Sequence, residues 1–454
     1  MGAPTSVGTD RVAAGGALTV ALCFGVMVIE GFDIQAMGVA APKLGPELKL
    51  SKDVLGEALA GSNIGLVFGA IVGGWMADRL GRKPVLIGAV ILFGAFTLMT
   101  MMSKSFEMLF AARLLTGLGF GAALPNIMAI AADVARPDRR GSTSAMMFCG
   151  MPAGGSTVAL LSWLQAGQAG ADWRPLFLIG GLIPLFLAPA LIFLMRETQK
   201  PTHEAASVAG ALPWLAAIPI GLAAWYGLER LGAIKGFGSI AGIAAWLGGV
   251  LGVLGAYMIV HRRPLFGGRR AAASLLLWVI FFPTLLILYF VLNWLPTLVG
   301  AKGFPGDASL ASVWFNLASI LGAGVLGALV DRFGVRWPLT LAFAGLIGAL
   351  IALGQATELW PILILSGAVG FFLLGANYAL YGAAAIYYPA EMRGRGSGAA
   401  IAWGRLGAVA GPLVGGLLLQ GGASPGAAVY AMAPYGVVAG FGVLLLTYLT
   451  KAET

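Results

Sequence analysis

Charged residues are scarce in this sequence, and their scarcity excludes most soluble folds. Only 10% of the 454 residues are Asp, Glu, Lys or Arg, whereas 59% are hydrophobic and the mean hydropathy is +0.89. Soluble globular domains carry about 25% charged residues. The composition therefore predicts an all-α polytopic membrane protein.

Cysteine and histidine are also scarce, with two residues of each. Cys23 and Cys149 lie inside apolar runs, and His203 and His261 match no ligand spacing. We therefore expect no disulfide framework, no metal site and no cofactor. A membrane receptor or an integral-membrane enzyme is a remote alternative, and the lack of a His or Cys cluster in the membrane argues against the enzyme.

Long hydrophobic runs recur along nearly the whole chain. We count fourteen candidates of about 18 to 28 residues, each long enough to cross a hydrocarbon core of roughly 30 Å. The first run lacks a small-residue cleavage site, so we expect it to remain as a helix. Two runs near the middle of the chain, 211–228 and 237–260, either cross the membrane or lie at its surface, and the sequence leaves both possibilities open.

The net charge of +9 is distributed as the positive-inside rule expects for a membrane protein. If the N-terminus is cytoplasmic and all fourteen runs cross, most of the 28 Lys and Arg residues fall on the cytoplasmic side. We therefore predict that both termini are cytoplasmic. The partner implied by this charge is the lipid bilayer and not a nucleic acid.

An internal repeat divides the chain into two halves. The string GGWMADRLGRKPVL at 73–86 returns as LGALVDRFGVRWPL at 326–339, which aligns Asp78 with Asp331. This predicts two six-helix bundles, 1–195 and 271–454, joined by a linker at 196–270 that contains the two additional runs. Duplicated halves are typical of transporters, whose binding site lies between the repeats near the bilayer midplane.

The link between the second and third helices carries the most specific motif in the chain. It resembles the motif of the major facilitator superfamily, and this resemblance implies that superfamily's fold. It also implies a role in gating for Asp78, which would meet the N-terminal end of helix 11 when the cytoplasmic side is shut. Arg393, in the loop before helix 11, matches a basic position of the family, or is simply a topological charge. The gating residues implied by the resemblance are Gly74, Asp78, Arg79, Gly81, Arg82, Lys83, the degenerate copy Asp331 and Arg332, and Arg393.

Four further strings resemble the aromatic acid:proton symporter family. They are EGFDIQAMGVAAP, RLLTGLGFGAALPN, NWLPTL and GRLGAVAGP, in helices 1, 4, 7 and 11. The Glu at position 30 is most similar to the 3-hydroxyphenylpropionate transporter branch. The resemblance implies a bacterial inner-membrane transporter, monomeric and not an enzyme, that imports an aromatic monocarboxylate with protons by alternating access. Import of a non-aromatic organic acid is the alternative.

Two carboxylates in the first run, Glu30 and Asp33, form the candidate proton-coupling site. At i and i+3 they share one helix face, where they repel each other if both are ionised. At about 1.5 Å per residue, they and Arg113 of helix 4 fall at similar depths, so either acid can pair with Arg113. For Glu30 the alternative is a structural hydrogen bond that holds a kink at Gly31.

Arg405 in helix 11 is the candidate anchor for an anionic substrate, because its run contains no acidic residue. A guanidinium can grip a carboxylate through two hydrogen bonds. The alternative is that Arg405 pairs with helix-end carbonyls. Aromatic and amide side chains complete the predicted pocket, although Trp294 is equally suited to an interfacial anchor. These candidates are Asn126, Tyr289, Asn293, Trp294, Asn377, Tyr378, Tyr381 and Trp403.

Rows of glycines spaced four residues apart follow helices 2 and 11. Gly65 and Gly69 belong to the first row, and Gly407 and Gly411 to the second. Such spacing permits close approach of helix backbones. It predicts either general close packing or surfaces on which the two halves slide during transport.

Overall fold

The structure, a computed structural model, describes residues 6–135, 140–166, 172–195, 269–388 and 393–450. All regular secondary structure within these ranges is helical. The helices are α1 (Ser6–Glu47), α2 (Lys52–Leu80), α3 (Arg82–Met101), α4 (Phe106–Val134), α5 (Arg140–Ala166), α6 (Arg174–Leu194), α7 (Arg269–Ala301), α8 (Ala308–Phe333), α9 (Arg336–Gln355), α10 (Leu359–Ile386), α11 (Arg393–Gln420), α12 (Pro425–Tyr430) and α13 (Ala433–Leu449).

Twelve helical segments in the described residues are long and apolar enough to cross a membrane. The helices α1 to α11 supply one each, and α12 and α13 together form the last, Pro425–Leu449. The predicted all-α membrane architecture is therefore confirmed. The other two predicted runs, 211–228 and 237–260, lie outside the described residues.

The helices alternate in direction, so the chain has two sides. We call the side that holds the α2–α3 link at Gly81 and the α8–α9 link at 334–335 the motif side. The opposite side, with the α1–α2 link at 48–51 and the α7–α8 link at 302–307, is the distal side. By the charge distribution, the motif side is the predicted cytoplasmic side.

The helices before and after the linker have equivalent neighbours. In the first set α2 packs on α4, α1 on α5, and α3 on both α4 and α6. In the second set α8 packs on α10, α7 on α11, and α9 on both α10 and α13. The sets meet through α2 with α11, α5 with α8, and α1 with α7. We propose that these sets are the predicted halves 1–195 and 271–454; residues 196–268 of the linker lie outside the described residues.

The glycine rows pack inside each half and do not form the surface between the halves. A Cβ on Gly65 would lie 2.0 Å from the backbone oxygen of Leu114 in α4. A Cβ on Gly407 would lie 2.0 Å from that of Phe282 in α7. The prediction that the halves slide on these rows is therefore wrong, because each row faces a helix of its own half. Close packing explains the rows.

Candidate functional site

A buried ion pair joins α1 to α4 inside the first half. Arg113 donates to Asp33 through two bonds, Nη1 to Oδ1 at 3.1 Å and Nη2 to Oδ2 at 2.7 Å. The hydroxyl of Thr97 on α3 donates to Asp33 Oδ1 at 2.8 Å. The two charged side chains are 0–1% exposed. Of the two pairs that the sequence permits, the structure forms the one with Asp33, and the charges of that pair compensate each other.

Glu30 lies one turn before Asp33 and has no such partner. The residue is 0% exposed, and neither carboxyl oxygen has a hydrogen-bond partner in the described part of the chain. Its charge interacts with Arg405 of the second half and with Asp33. The alternative in which Glu30 holds a kink at Gly31 is not seen, because Glu30 makes no hydrogen bond. Gly31 instead permits close contact with α5, since a Cβ there would lie 2.0 Å from Met151 O.

A cavity of about 580 Å³, its open mouth included, lies between the halves. Helices α1, α4 and α5 of the first half and α7, α8, α10 and α11 of the second contribute to its wall. Most of the wall is apolar, with a few polar groups, which is the usual composition of a ligand-binding pocket. The polar lining residues are Gln35, Tyr289, Asn316, Asn377, Tyr378, Tyr381 and Arg405.

Arg405 is the cation of this cavity. It donates through Nη1 to the hydroxyl of Tyr289 at 3.1 Å, and it forms no ion pair with any described residue. Asn377, on the neighbouring wall, is 2% exposed, and its Oδ1 has no hydrogen-bond partner within the described ranges. The cavity therefore presents a cation and an amide whose bonding capacity is not used by the described chain.

An aromatic group closes part of the cavity wall. Phe148 of α5 stacks against Tyr378 and Tyr381 of α10, with ring centroids 5.3 and 5.4 Å apart. Tyr381 also stacks on Phe281 at 5.6 Å, and the hydroxyl of Tyr378 donates to Phe148 O at 3.2 Å. The contacts of Phe148 cross between the halves, and the three rings of Phe148, Tyr378 and Tyr381 line the cavity, where an aromatic ring can stack.

Four predicted pocket residues lie outside the cavity: Asn126, Asn293, Trp403 and Trp294. Asn126 and Asn293 donate to carbonyl oxygens one turn earlier on their own helices, those of Ala122 and Tyr289. Trp403 stacks on Trp278 at 4.7 Å, because two residues along a helix place it on the side opposite Arg405. These residues are of types that suit a binding pocket, but they lie on helix faces that point away from the cavity.

Trp294 is neither in the cavity nor at an interface with lipid headgroups. It is 0% exposed, and its indole N–H donates to Pro412 O at 2.9 Å. Tyr289, Asn377, Tyr378 and Tyr381 do line the cavity, as does Arg405. Of the predicted pocket residues, only these five, on α7, α10 and α11, line the cavity.

Sequence reasoning missed Gln35, Asn316 and Phe148, all of which line the cavity. Gln35 Nε2 donates to Leu292 O at 2.9 Å, and Asn316 Nδ2 donates to Gln35 Oε1 at 3.2 Å. A usable signal was present, because both amides are polar residues within apolar runs. Their pairing depends on contact between the halves, which the sequence does not reveal.

The predicted gating motif turns at Gly81, whose φ of 92° is left-handed and favours glycine. Arg82 forms an ion pair with Asp133 of α4, and Lys83 Nζ donates to Ile192 O of α6 at 2.7 Å. The motif thereby joins α3 to α4 and α6 at one side of the first half.

The other members of the motif lie around this turn and at its counterpart in the second half. Asp78 and Arg79 are exposed, with Arg79 4.2 Å from the ring centroid of Trp75. Asp331 and Arg332 are exposed at the equivalent place in the second half. A Cβ added to Gly74 would meet no atom within 4 Å, and Arg393 donates through Nε to Tyr388 O at 3.3 Å.

On the distal side the halves are joined by α2 with α11. The backbone N–H of Lys52 donates to Gln420 Oε1 and Asn63 Nδ2 donates to Ala408 O, each at 3.1 Å. These bonds set an antiparallel register. If that register continued to the motif side, it would bring Asp78 opposite the beginning of α11 at Arg393.

A second seam on the distal side joins α5 to α8. The hydroxyls of Ser162 and Ser309 lie 3.0 Å apart, and Trp163 Nε1 donates to Asp307 Oδ1 at 3.0 Å. The two seams are equivalent under exchange of the halves. Together they cover the distal end of the interface between the halves.

Comparison with characterised proteins finds relatives that match along most of the chain. The chain is 35% identical to the 3-(3-hydroxy-phenyl)propionate transporter of Escherichia coli (strain K12) over 94% of this chain and 93% of the relative. It is 33% identical to the gallate transporter of Pseudomonas putida (89% and 85% covered). It is 32% identical to the 4-hydroxybenzoate transporter PcaK of Pseudomonas aeruginosa (88% and 85% covered).

Solved structures share the fold. The xylose transporter XylE from E. coli in an inward open conformation superposes with a TM-score of 0.68 at 16% identity, covering 94% of this chain and 95% of the other. The nucleoside transporter NupG gives 0.69 at 13% identity, covering 95% and 99%. Residues 23–309 and 305–454 match the Major Facilitator Superfamily. The predicted superfamily, fold and branch are confirmed, and this chain belongs to the Major Facilitator Superfamily, whose members are transporters and not enzymes.

Proposed function

We propose that this protein imports an aromatic monocarboxylate together with protons across the bacterial inner membrane by alternating access. It acts as a monomer, with the motif side and both termini in the cytoplasm. The named substrates of its relatives, hydroxylated aromatic acids, support the substrate class. The observation that carries the proposal is the cavity cation, Arg405, which has no acidic partner among the described residues.

Arg405 binds the carboxylate of the substrate. Its fork already donates to Tyr289 through one arm, which orients the guanidinium toward the cavity. The ring of the substrate stacks on the faces of Phe148, Tyr378 and Tyr381.

Glu30 carries the coupled proton. Within electrostatic reach of Arg405, it competes with the substrate carboxylate for one positive charge. When the substrate occupies Arg405, a proton on Glu30 avoids leaving a second anion in an apolar site, where an uncompensated charge is costly. Substrate and proton therefore bind together, which is the requirement for symport.

Asp33 and Arg113 complete the coupling site. Because their charges are mutually compensated, the pair holds α1 against α4 and keeps Asp33 from competing for Arg405. The hydroxyl of Thr97 holds the Asp33 carboxylate in place through a hydrogen bond. Opening of this pair during the cycle would give Asp33 access to the proton on Glu30, one helical turn away.

The gating motif closes the motif side. In the distal-closed arrangement of this structure, Asp78 is exposed. Continuation of the α2–α11 register would bring its carboxylate to the N-terminal end of α11 near Arg393, where a helix favours an anion. Closure there requires the distal seams to open, so the cavity faces one side at a time.

The test is uptake of labelled 3-(3-hydroxyphenyl)propionate and 4-hydroxybenzoate into proteoliposomes, with and without an inward proton gradient. We expect the gradient to drive accumulation in the wild type and in the control Glu47→Gln, which changes an exposed acid at the end of the same helix. Glu30→Gln should abolish the accumulation. Uptake indifferent to the gradient contradicts symport, and a stronger effect of non-aromatic acids in a competition panel contradicts the substrate class.

A further inference from the structure

The two amides that sequence reasoning missed form a polar junction between the halves. Gln35 of α1 donates through Nε2 to Leu292 O of α7 at 2.9 Å and to Ser312 Oγ of α8 at 3.4 Å. Its Oε1 accepts from Asn316 Nδ2 of α8 at 3.2 Å. Both residues are nearly fully buried, at 1% and 2% exposure, yet both line the cavity.

The junction lies away from Arg405 along the cavity. Gln35 follows Glu30 by five residues on α1, a rise of about 7.5 Å toward the distal side. Arg405 donates to the hydroxyl of Tyr289 on α7. Gln35 donates to Leu292 O on the same helix, three residues or about 4.5 Å nearer the distal side. A ligand whose carboxylate binds Arg405 therefore directs its opposite end toward Gln35 and Asn316.

One acceptor of the junction is unused. Asn316 Nδ2 donates to Gln35 Oε1 and to Ser312 O, but Asn316 Oδ1 accepts no hydrogen bond from any described residue. The amide also has little freedom to turn, since Gly155 of α5 passes so close that a Cβ there would lie 2.8 Å from Oδ1. A hydroxyl group is a neutral donor that can bond to Asn316 Oδ1.

We infer that the Gln35–Asn316 junction is the subsite that recognises the ring hydroxyl of a hydroxylated aromatic acid. This inference rests on the proposed function, because it takes Arg405 as the carboxylate anchor. Since Asn316 of the second half bonds to Gln35 of the first, a hydroxyl that binds Asn316 Oδ1 also favours closure of the distal side. Acids without the hydroxyl fill the cavity but leave Asn316 Oδ1 without a donor.

The test measures uptake of 3-(3-hydroxyphenyl)propionate against 3-phenylpropionate by the full chain in proteoliposomes. We expect wild type to prefer the hydroxylated acid by about tenfold or more in kcat/KM, since a site built to bond a hydroxyl discriminates against its absence. Gln35→Met and Asn316→Leu should each reduce that preference to about twofold or less. The control Ser366→Ala removes a buried hydrogen bond to Ile362 O on α10, outside the cavity, and should keep the preference.

Several results would overturn the inference. If wild type takes up both acids equally, the protein does not recognise the hydroxyl. This result needs only the wild-type protein and does not depend on whether any variant folds. If wild type prefers the hydroxylated acid but both variants retain the preference, the hydroxyl is read elsewhere while the proposed function stands. Uptake of neither acid by wild type removes the proposed function and the inference with it. If Gln35→Met is not recovered, Gln35→Glu replaces it: this variant keeps the side-chain size and the acceptor but loses the donors to Leu292 O and Ser312 Oγ, and it should reduce the preference likewise.

Discussion

Two buried acids, Glu30 and Asp33, lie one helical turn apart on α1, and each interacts with an arginine of another helix. The two acid–arginine sets differ in how completely they are hydrogen-bonded. Asp33 and Arg113 belong to one half and share two hydrogen bonds, with a third from Thr97. Glu30 and Arg405 belong to different halves and share only a charge interaction in this conformation. In the first set only Nε of Arg113 lacks a partner in the described chain, so that pair has little capacity left for a ligand, whereas the second set can still take a proton and an anion.

Removal of the cavity cation is expected to have the largest effect. In Arg405→Gln, kcat/KM for uptake of an aromatic acid should fall by about 100-fold or more, because a bidentate charge-assisted contact to the carboxylate is lost. Arg405→Lys should recover part of the activity, since it restores charge but not the planar fork. Labelled uptake into proteoliposomes measures both, and wild-type kinetics in Arg405→Gln would contradict the role of Arg405.

Removal of one partner of the bonded pair should act on stability. Asp33→Asn leaves Arg113 buried without a counter-charge, and breaking a buried pair costs about 3–5 kcal/mol. The variant should unfold in detergent at a markedly lower temperature. Asp33→Asn combined with Arg113→Gln should be more stable than Asp33→Asn alone, because it removes the uncompensated charge. Equal losses in the single and double variants would contradict this prediction.

Neutralisation of Glu30 should change coupling more than stability. Glu30→Gln removes a carboxylate that has no hydrogen-bond partner in the described chain, so we expect little loss of thermal stability. Accumulation driven by a proton gradient should be lost, while exchange of labelled for unlabelled acid across the membrane continues. Retained accumulation would show that the proton is carried elsewhere.

An exposed ion pair provides the smallest expected effect. Arg174 contacts Glu47 and Asp172 on the distal side, where the side chains are 34–41% exposed. Exposed pairs contribute about 1 kcal/mol or less. Glu47→Gln should therefore leave the thermal unfolding temperature nearly unchanged and transport at the wild-type rate. A loss of thermal stability similar to that of Asp33→Asn would mean that burial does not explain why the two ion pairs differ in their contribution to stability.

The architecture could be predicted from the sequence because apolar run length fixes membrane-spanning helices. The repeat containing Asp78 and Asp331 indicated two halves, and the equivalent neighbours of the helices support that proposal. The depth estimate brought Asp33 and Arg113 to the same level, although it did not separate Asp33 from Glu30 as the partner of Arg113.

The site was less predictable, since its members depend on helix rotation and on contacts between distant segments. Trp403 is two residues from Arg405 yet faces Trp278. Gln35 and Asn316 meet only because the halves pack together. Of the two alternatives for the glycine rows, close packing holds and sliding between the halves is wrong, since spacing reveals close packing but not which helix is approached.

Equilibrium binding tests the central claim, that Glu30 and the substrate carboxylate compete for Arg405. Binding of a labelled aromatic acid to the purified protein should be compared among wild type, Arg405→Gln and Glu30→Gln. The account predicts that Arg405→Gln abolishes binding and that Glu30→Gln binds at least as tightly as wild type, because the competing anion is gone. Unchanged binding in Arg405→Gln, or loss of binding in Glu30→Gln, would contradict it.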